Sequence, residues 1–219
     1  LIKMLDKFGV NPSEIGPKQA KASIFDAPTE TMTNIAPLLY QSGYITIKDY
    51  NKILDLYTLD IPNKEVRLGL MESLLPNYVG NATPEATTMV AYLFYDIQNG
   101  DMDSALRRLQ TFLSTIPYSE NTKYEGHYQQ LFYVIFSLLN YYVDIEVRTP
   151  RGRVDVVLRT KTTLYVMELK LDKTAGEAME QINLKNYPER FALCGLPVVK
   201  VAINFDSERG TIGDWMIEK

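Results

Sequence analysis

Gly152-Arg153-Val154-Asp155-Val156-Val157-Leu158-Arg159, then Thr160-Lys161-Thr162-Thr163, then Leu164-Tyr165-Val166-Met167-Glu168-Leu169-Lys170-Leu171: this stretch decides how the C-terminal part of the chain is read. The two flanking runs are mostly apolar and rich in β-branched and aromatic residues, so they read as strands joined by a short polar turn. The first carries one acidic residue and the second carries Glu-x-Lys. Side chains alternate along a strand, which places Glu168 and Lys170 on one face. If Thr160 to Thr163 form the turn, Arg159 opposes Leu164 and Asp155 opposes Glu168. Directly opposed residues bring their Cβ atoms to about 4.5–5.5 Å. Two carboxylates at that range repel each other and are poorly solvated in an apolar sheet. A divalent cation, Mg²⁺ or Mn²⁺, relieves both problems, and carboxylates plus substrate phosphate oxygens are its usual ligands. Such a cation polarises a phosphodiester and acidifies its bound water. Lys170 is placed to orient that water or to stabilise the charge that develops. The competing reading is an ordinary ion pair at a sheet edge. Glu-x-Lys alone is common, but its position in an apolar strand after an Asp-bearing strand favours the metal site.

Around this pair the pattern predicts α-β-β-β-α-β. A helix runs from about Tyr124 to Asn140, with Tyr128, Leu131, Phe132, Ile135 and Leu139 on one side. Val143 to Arg148 is a strand, and Pro150-Arg151-Gly152 a turn. Ala175 to Tyr187 reads as a helix burying Ala175, Ala178, Met179 and Ile182. Pro197 to Phe205 is a last strand. The expected domain is α/β, with a mixed sheet and helices packed on it. Upstream, residues 83–116 read as a helical hairpin, with Thr83 as N-cap, Asn99-Gly100-Asp101 as the break and Ile116-Pro117 as the close. Residues 1–80 mix short elements. Asn34 to Gln41 is a helix, Tyr44 to Ile47 and Ile53 to Leu59 are strands, and Asn63 caps a helix bearing Val66, Leu68, Leu70 and Leu74. That order suggests an α+β, winged-helix-like unit.

The segments Tyr124-Glu125-Gly126-His127-Tyr128-Gln129, Glu146 to Asp155, Tyr165 to Lys170 and Ala178 to Tyr187 resemble the PD-(D/E)xK nuclease superfamily, in the branch first described as a domain of unknown function. That branch commonly follows an AAA-ATPase-like domain. Leu39-Tyr40-Gln41-Ser42-Gly43-Tyr44 and the stretch from Tyr57 to Val66 resemble the end of that ATPase-like region. The resemblance implies a restriction-endonuclease-like core over 121–219 and a lid or winged-helix-like ATPase remnant over 1–82, and the helical pattern between them reads as a connector over 83–120. It implies Asp155 and Glu168 as metal ligands, Glu125 completing the metal site, and Lys170 and Gln181 as catalytic groups. Lys185 and Tyr187 match further polar positions of the helix after the second motif strand. Val154 stands where the literal motif has Pro. Arg148, Arg151, Arg153, Arg159 and Lys161 form a basic run read either as a solvated hairpin rim or as a phosphate-binding rim, and Arg148, Arg151 and Arg153, with Lys185 and Tyr187, are the candidate nucleic-acid contacts.

Composition narrows the rest. Cys194 is the single cysteine, so no internal disulfide forms and a reducing cytoplasm is the expected compartment. The apolar run from Leu131 to Val143 is too short for a bilayer span. His127 is the only histidine and reads as a helix-surface residue; without partners it builds no zinc site. Residues 121–219 hold 13 basic and 13 acidic residues, so no broad electrostatic footprint for nucleic acid exists. The chain opens on Leu1, from which an upstream partner domain is expected, and no P-loop motif is present. Three readings follow. The first is a Mg²⁺-dependent nuclease acting on DNA. The second is an inactive nuclease-like module that binds protein or nucleic acid. The third is a regulatory fragment of an ATPase. The intact carboxylate pair favours the first.

Overall fold

In the computed structural model, residues 2–16, 18–25, 34–79, 84–115, 125–139, 142–149 and 152–219 are described. The expected cap Thr83, the Ile116-Pro117 close, Tyr124, Asn140 and the Pro150-Arg151 part of the turn lie outside these residues. The chain divides into two compact units, Leu1–Leu74 and Leu75–Lys219.

The first unit holds α1 (Ile2–Phe8), β1 (Lys18–Ala20), α2 (Ala36–Gln41), β2 (Thr46–Asn51), β3 (Leu56–Asp60) and α3 (Lys64–Leu74). Its three strands form an antiparallel sheet in the order β1-β3-β2. Asn63 caps α3 as the sequence suggested, accepting the Val66 N–H at 2.9 Å. The strand expected from Ile53 begins at Leu56, because the four residues before it form the hairpin turn, with Asp55 at φ +51°.

The second unit opens with α4 (Pro76–Val79), α5 (Pro84–Gln98) and α6 (Met102–Leu113). Gly100 at φ +73° makes the break between α5 and α6, and Asp101 caps α6 by accepting the Ser104 N–H at 3.0 Å. The sequence pattern treats this hairpin as a connector, yet by contacts it lies within the second unit. Met102, Ala105, Leu106, Leu109 and Leu113 are buried. Thr211 and Gln110 exchange hydrogen bonds with each other's strand and helix: Thr211 Oγ1 donates to Gln110 O, and Gln110 Nε2 to Ile212 O, both at 2.7 Å. The indole of Trp215 donates to Asp103 Oδ1 at 2.9 Å. Trp215→Phe removes that donor and should destabilise this unit by about 1 kcal/mol; urea melts followed by circular dichroism check it, and an unchanged midpoint would refute the contribution.

The remainder is α7 (Glu125–Leu138), β4 (Tyr142–Thr149), β5 (Gly152–Arg159), β6 (Leu164–Leu171), α8 (Ala175–Leu184), β7 (Val198–Asp206) and β8 (Thr211–Glu218). The sheet order is β4-β5-β6-β7-β8, with β6 and β7 parallel and the other neighbours antiparallel. This is the expected mixed α/β arrangement, with one further strand, β8, at the edge. The register Arg159↔Leu164 is the one the four-residue turn requires. Val154 to Leu158 and Leu164 to Leu169 are buried, as strands covered on both faces must be. On one face Tyr128 of α7 stacks on Phe205 of β7, ring centroids 3.8 Å apart. On the other, Ala175, Ala178, Met179 and Ile182 of α8 pack on Val157, Leu164, Val166 and Ala202. The apolar run beginning at Leu131 divides into the end of α7 and the start of β4, and no helix among the described residues is long and apolar enough to cross a membrane.

Candidate metal centre

Asp155 occupies the one place where β5 is released by both neighbours. The β4–β5 ladder passes from Ile145↔Val156 to Val147↔Val154 without pairing Glu146 and Asp155, and Glu146 takes a left-handed backbone, φ +53°. The β5–β6 ladder ends at Val156↔Met167, one step before the position where Asp155 would face Glu168. The freed Leu169 N–H on β6 donates instead to Asp155 Oδ2, at 2.8 Å. The other oxygen, Oδ1, accepts from Gln129 Nε2 of α7 at 3.0 Å. Asp155 is 7% exposed.

Glu168 is 1% exposed. Its Oε1 accepts from Lys170 Nζ at 2.8 Å, and Gln181 Nε2 of α8 donates to the same oxygen. Its Oε2 is buried and, among the described residues, has no hydrogen-bond partner. A buried carboxylate oxygen without a donor is costly. Gln181 is held in turn by Tyr187, whose hydroxyl lies 3.3 Å from Gln181 Nε2 and donates to Arg153 O at 2.6 Å. α8 is fixed at its start by Thr174 and Glu177, which accept each other's backbone N–H.

The electrostatics follow from burial. Burial pushes the Asp155 carboxyl up to about 6; the Leu169 N–H opposes the rise, Glu125 adds to it, and Lys170 and Arg153 oppose it. Burial pushes Glu168 up to about 7, the charge on Asp155 adds to it, and Lys170 and Lys185 oppose it. Burial works against the Lys170 ammonium, but Glu168, Asp155 and Glu125 outweigh it and leave its pKa above the ordinary value. Carboxyls that hold protons more tightly folded than unfolded favour the folded state below about pH 4 and lose that advantage as pH rises through about 6 to 7. The metal-free protein should therefore lose about 4 kcal/mol of stability from this pair between about pH 5 and about pH 8. Thermal melts in EDTA across that range test it; a flat or rising melting temperature would contradict the buried-pair geometry.

Of the residues singled out from sequence, Asp155, Glu168, Lys170 and Gln181 come together. Glu125 acts on Asp155 and Lys170 through its charge. Among the described residues, no group of three His, Cys, Asp or Glu is arranged to hold a metal ion. Tyr187, expected to contact nucleic acid, is fully buried. Asn186 in the left-handed region, φ +46°, ends the helix early and turns Tyr187 under the sheet. Arg148 and Arg153 are exposed, and Arg151 lies outside the described residues. Lys185 crosses Gly152 so closely that a Cβ there would stand 2.8 Å from Lys185 Cδ. An open groove of about 380 Å³ beside Glu168 is lined by Lys170, Lys173, Glu177, Glu180, Gln181 and Lys185. Sequence reasoning missed Gln129; its signal was the four-residue spacing from Glu125, which puts both on one face of α7. His127 is half-buried between the rings of Tyr78 and Tyr128, at 5.4 and 5.3 Å, rather than on the surface, and burial pushes it down to about 4.

The family model of the PD-(D/E)XK nuclease superfamily matches residues 123–215. That segment is a PD-(D/E)XK nuclease superfamily domain. The chain is also 30% identical over 193 residues, 83% of its length, to an uncharacterized protein encoded in the vnfD 5′ region of Azotobacter chroococcum mcd 1. It spans 37% of that protein's length. No solved structure matches the chain. Within the PD-(D/E)XK domain, the acidic residue of β5 and the Glu-x-Lys of β6 are Asp155, Glu168 and Lys170, the three groups that the fold gathers.

Proposed function

We propose that the second unit is a divalent-metal-dependent nuclease that hydrolyses DNA phosphodiester bonds. The observation that carries this reading is the buried Glu168 carboxylate, with an oxygen that no donor among the described residues satisfies, in the field of a second buried carboxylate, Asp155. The donor set suits a hard cation such as Mg²⁺ or Mn²⁺, which prefers carboxylate oxygens and water, and not zinc, which would want His or Cys. Asp155 and Glu168 would hold the ion, with Glu125 at its margin. When bound, the ion supplies Lewis acidity toward a phosphoryl oxygen and a more acidic water.

The chain's own residues do the rest. Gln129 and the Leu169 N–H fix both oxygens of Asp155. Gln181, braced by Tyr187, fixes one oxygen of Glu168. Lys170 keeps its proton and lies beside Glu168, where its charge stabilises negative charge that develops on the phosphate during attack. The pair lies in a covered sheet, so these charges act at low local dielectric. For residues 1–82 the reading is a winged-helix-like end of an ATPase-like region. Incubating plasmid, linear duplex and single-stranded DNA with the protein, with Mn²⁺ or with EDTA, tests the function. Metal-dependent cleavage is the expected result. Metal binding without cleavage of any of the three substrates would favour the inactive-module reading.

A further inference from the structure

Arg148 of β4 and Arg153 of β5 stand directly opposite each other in the antiparallel ladder. Like charges in that relation are destabilising, so the pairing asks for an anion. Glu146 supplies one: its Oε1 lies 3.2 Å from Arg153 Nη1. Glu146 does so from the left-handed backbone that breaks the ladder beside Asp155, a conformation non-glycine residues rarely adopt without a local reason. The bridge is open to solvent, with the two side chains 56% and 47% exposed, so it is weak and readily exchanged. Arg153 is also rigid at its backbone, since its carbonyl accepts the buried Tyr187 hydroxyl. Two residues further along β5, about 6.6 Å away, comes Asp155, and Arg153 already acts on the Asp155 carboxyl through its charge. Lys185, lying across Gly152, adds a third cation at the same end of the strand.

We propose that Arg148 and Arg153 form a phosphate-binding subsite for a nucleic-acid strand next to the carboxylate pair, and that Glu146 is a built-in competitor which a backbone phosphate displaces from Arg153. The inference rests on the nuclease reading for the identity of its ligand. The subsite is nonetheless defined by charge and register, and its occupancy needs no metal. The spacing from Arg153 to Asp155 is about that between neighbouring phosphates on one strand. A phosphate held by the arginines therefore sets the next one against Asp155 and Glu168. Positioning of this kind selects nucleic acid by its backbone and is blind to sequence.

The test is fluorescence anisotropy of the full chain with labelled 20-nucleotide DNA, the same sequence as RNA, and duplex DNA, all in EDTA so that neither metal nor cleavage enters. Arg153→Gln and Arg148→Gln should each weaken binding about fivefold and reduce the dependence of binding on salt by roughly one phosphate contact. Glu146→Gln should tighten binding about threefold, and this gain should vanish when Arg153→Gln is also present. Arg159→Gln, at the far end of the same strand, is the control and should change nothing. Circular dichroism and melting of each variant separate binding effects from misfolding. The three probes show whether DNA or RNA is the better source of the phosphate. No binding by the unaltered protein, an Arg153→Gln salt dependence equal to that of Arg159→Gln, or a Glu146→Gln gain that persists without Arg153 would each overturn the proposal. Failure of the nuclease reading looks different: the binding pattern stays intact in EDTA, while Mn²⁺ neither binds nor supports cleavage.

Discussion

Asp155→Asn weakens Mn²⁺ binding and, at a pH above about 7, raises the melting temperature of the metal-free protein: that is the expected result of removing one charge from a buried, mutually repelling pair. The substitution keeps the shape of the side chain. Asparagine Oδ1 can still accept the Leu169 N–H, and its amide meets the Gln129 carboxamide, which satisfies it by turning its oxygen inward. Hydrogen bonding is therefore largely preserved while the electrostatic cost falls. Glu168, no longer facing a carboxylate, moves back toward its ordinary pKa. The loss of stability with rising pH should flatten in the same variant. Calorimetric titration of Mn²⁺ into both proteins should show affinity lower by about a hundredfold or more, since one of two charged ligands is gone. A variant that binds Mn²⁺ like the unaltered protein would place the ion elsewhere.

Lys170→Ala should separate binding from catalysis. Its ammonium lies 2.8 Å from Glu168 and is among the cations opposing the raised pKa of both carboxyls. Removing it leaves Glu168 buried with less compensation, so the metal-free variant should be destabilised by about 3 kcal/mol unless Glu168 takes up a proton. A bound divalent ion replaces the missing charge. Mn²⁺ should therefore still bind, and it should raise the melting temperature of Lys170→Ala by more than it raises that of the unaltered protein. Cleavage should nonetheless fall about 10²- to 10³-fold, because a bound ion near the carboxylates does not reproduce a cation directed at the reacting phosphate. Single-turnover rates at saturating Mn²⁺ measure this. Cleavage that survives both Lys170→Ala and Asp155→Asn would mean the activity belongs to another site.

The centre of the domain was legible in the sequence because its register is local. A four-residue turn between two apolar strands leaves one way to pair them, and that pairing carries Asp155 toward Glu168. The last step was not legible: strand alternation says the two residues face each other, but not that both ladders open at Asp155 and turn its carboxylate onto the Leu169 N–H. That opening depends on Glu146, whose left-handed backbone has no signature in the residues around it. Tyr187 looked like a solvent-facing polar position because the helical pattern runs through it, whereas Asn186 ends the helix and buries the ring. β8 was missed because Gly213-Asp214 interrupts a short run that alternates weakly, and its pairing with β7 is irregular at the same place. The apolar stripe of α6 was plain, but a periodic stripe says only that a helix packs on something. The strand it packs against lies about a hundred residues away in sequence, as the 102-residue separation of Gln110 and Ile212 shows.

The most direct test of the metal centre is anomalous diffraction from a crystal of the protein soaked in Mn²⁺. The expected result is one strong peak within about 2.0–2.4 Å of oxygens from both Asp155 and Glu168, with Glu168 Oε2 among them and Lys170 turned from that carboxylate toward the groove. A peak elsewhere on the molecule, or none between the two carboxylates in crystals that bind Mn²⁺ at other sites, would contradict the assignment of Asp155 and Glu168 as the ligands.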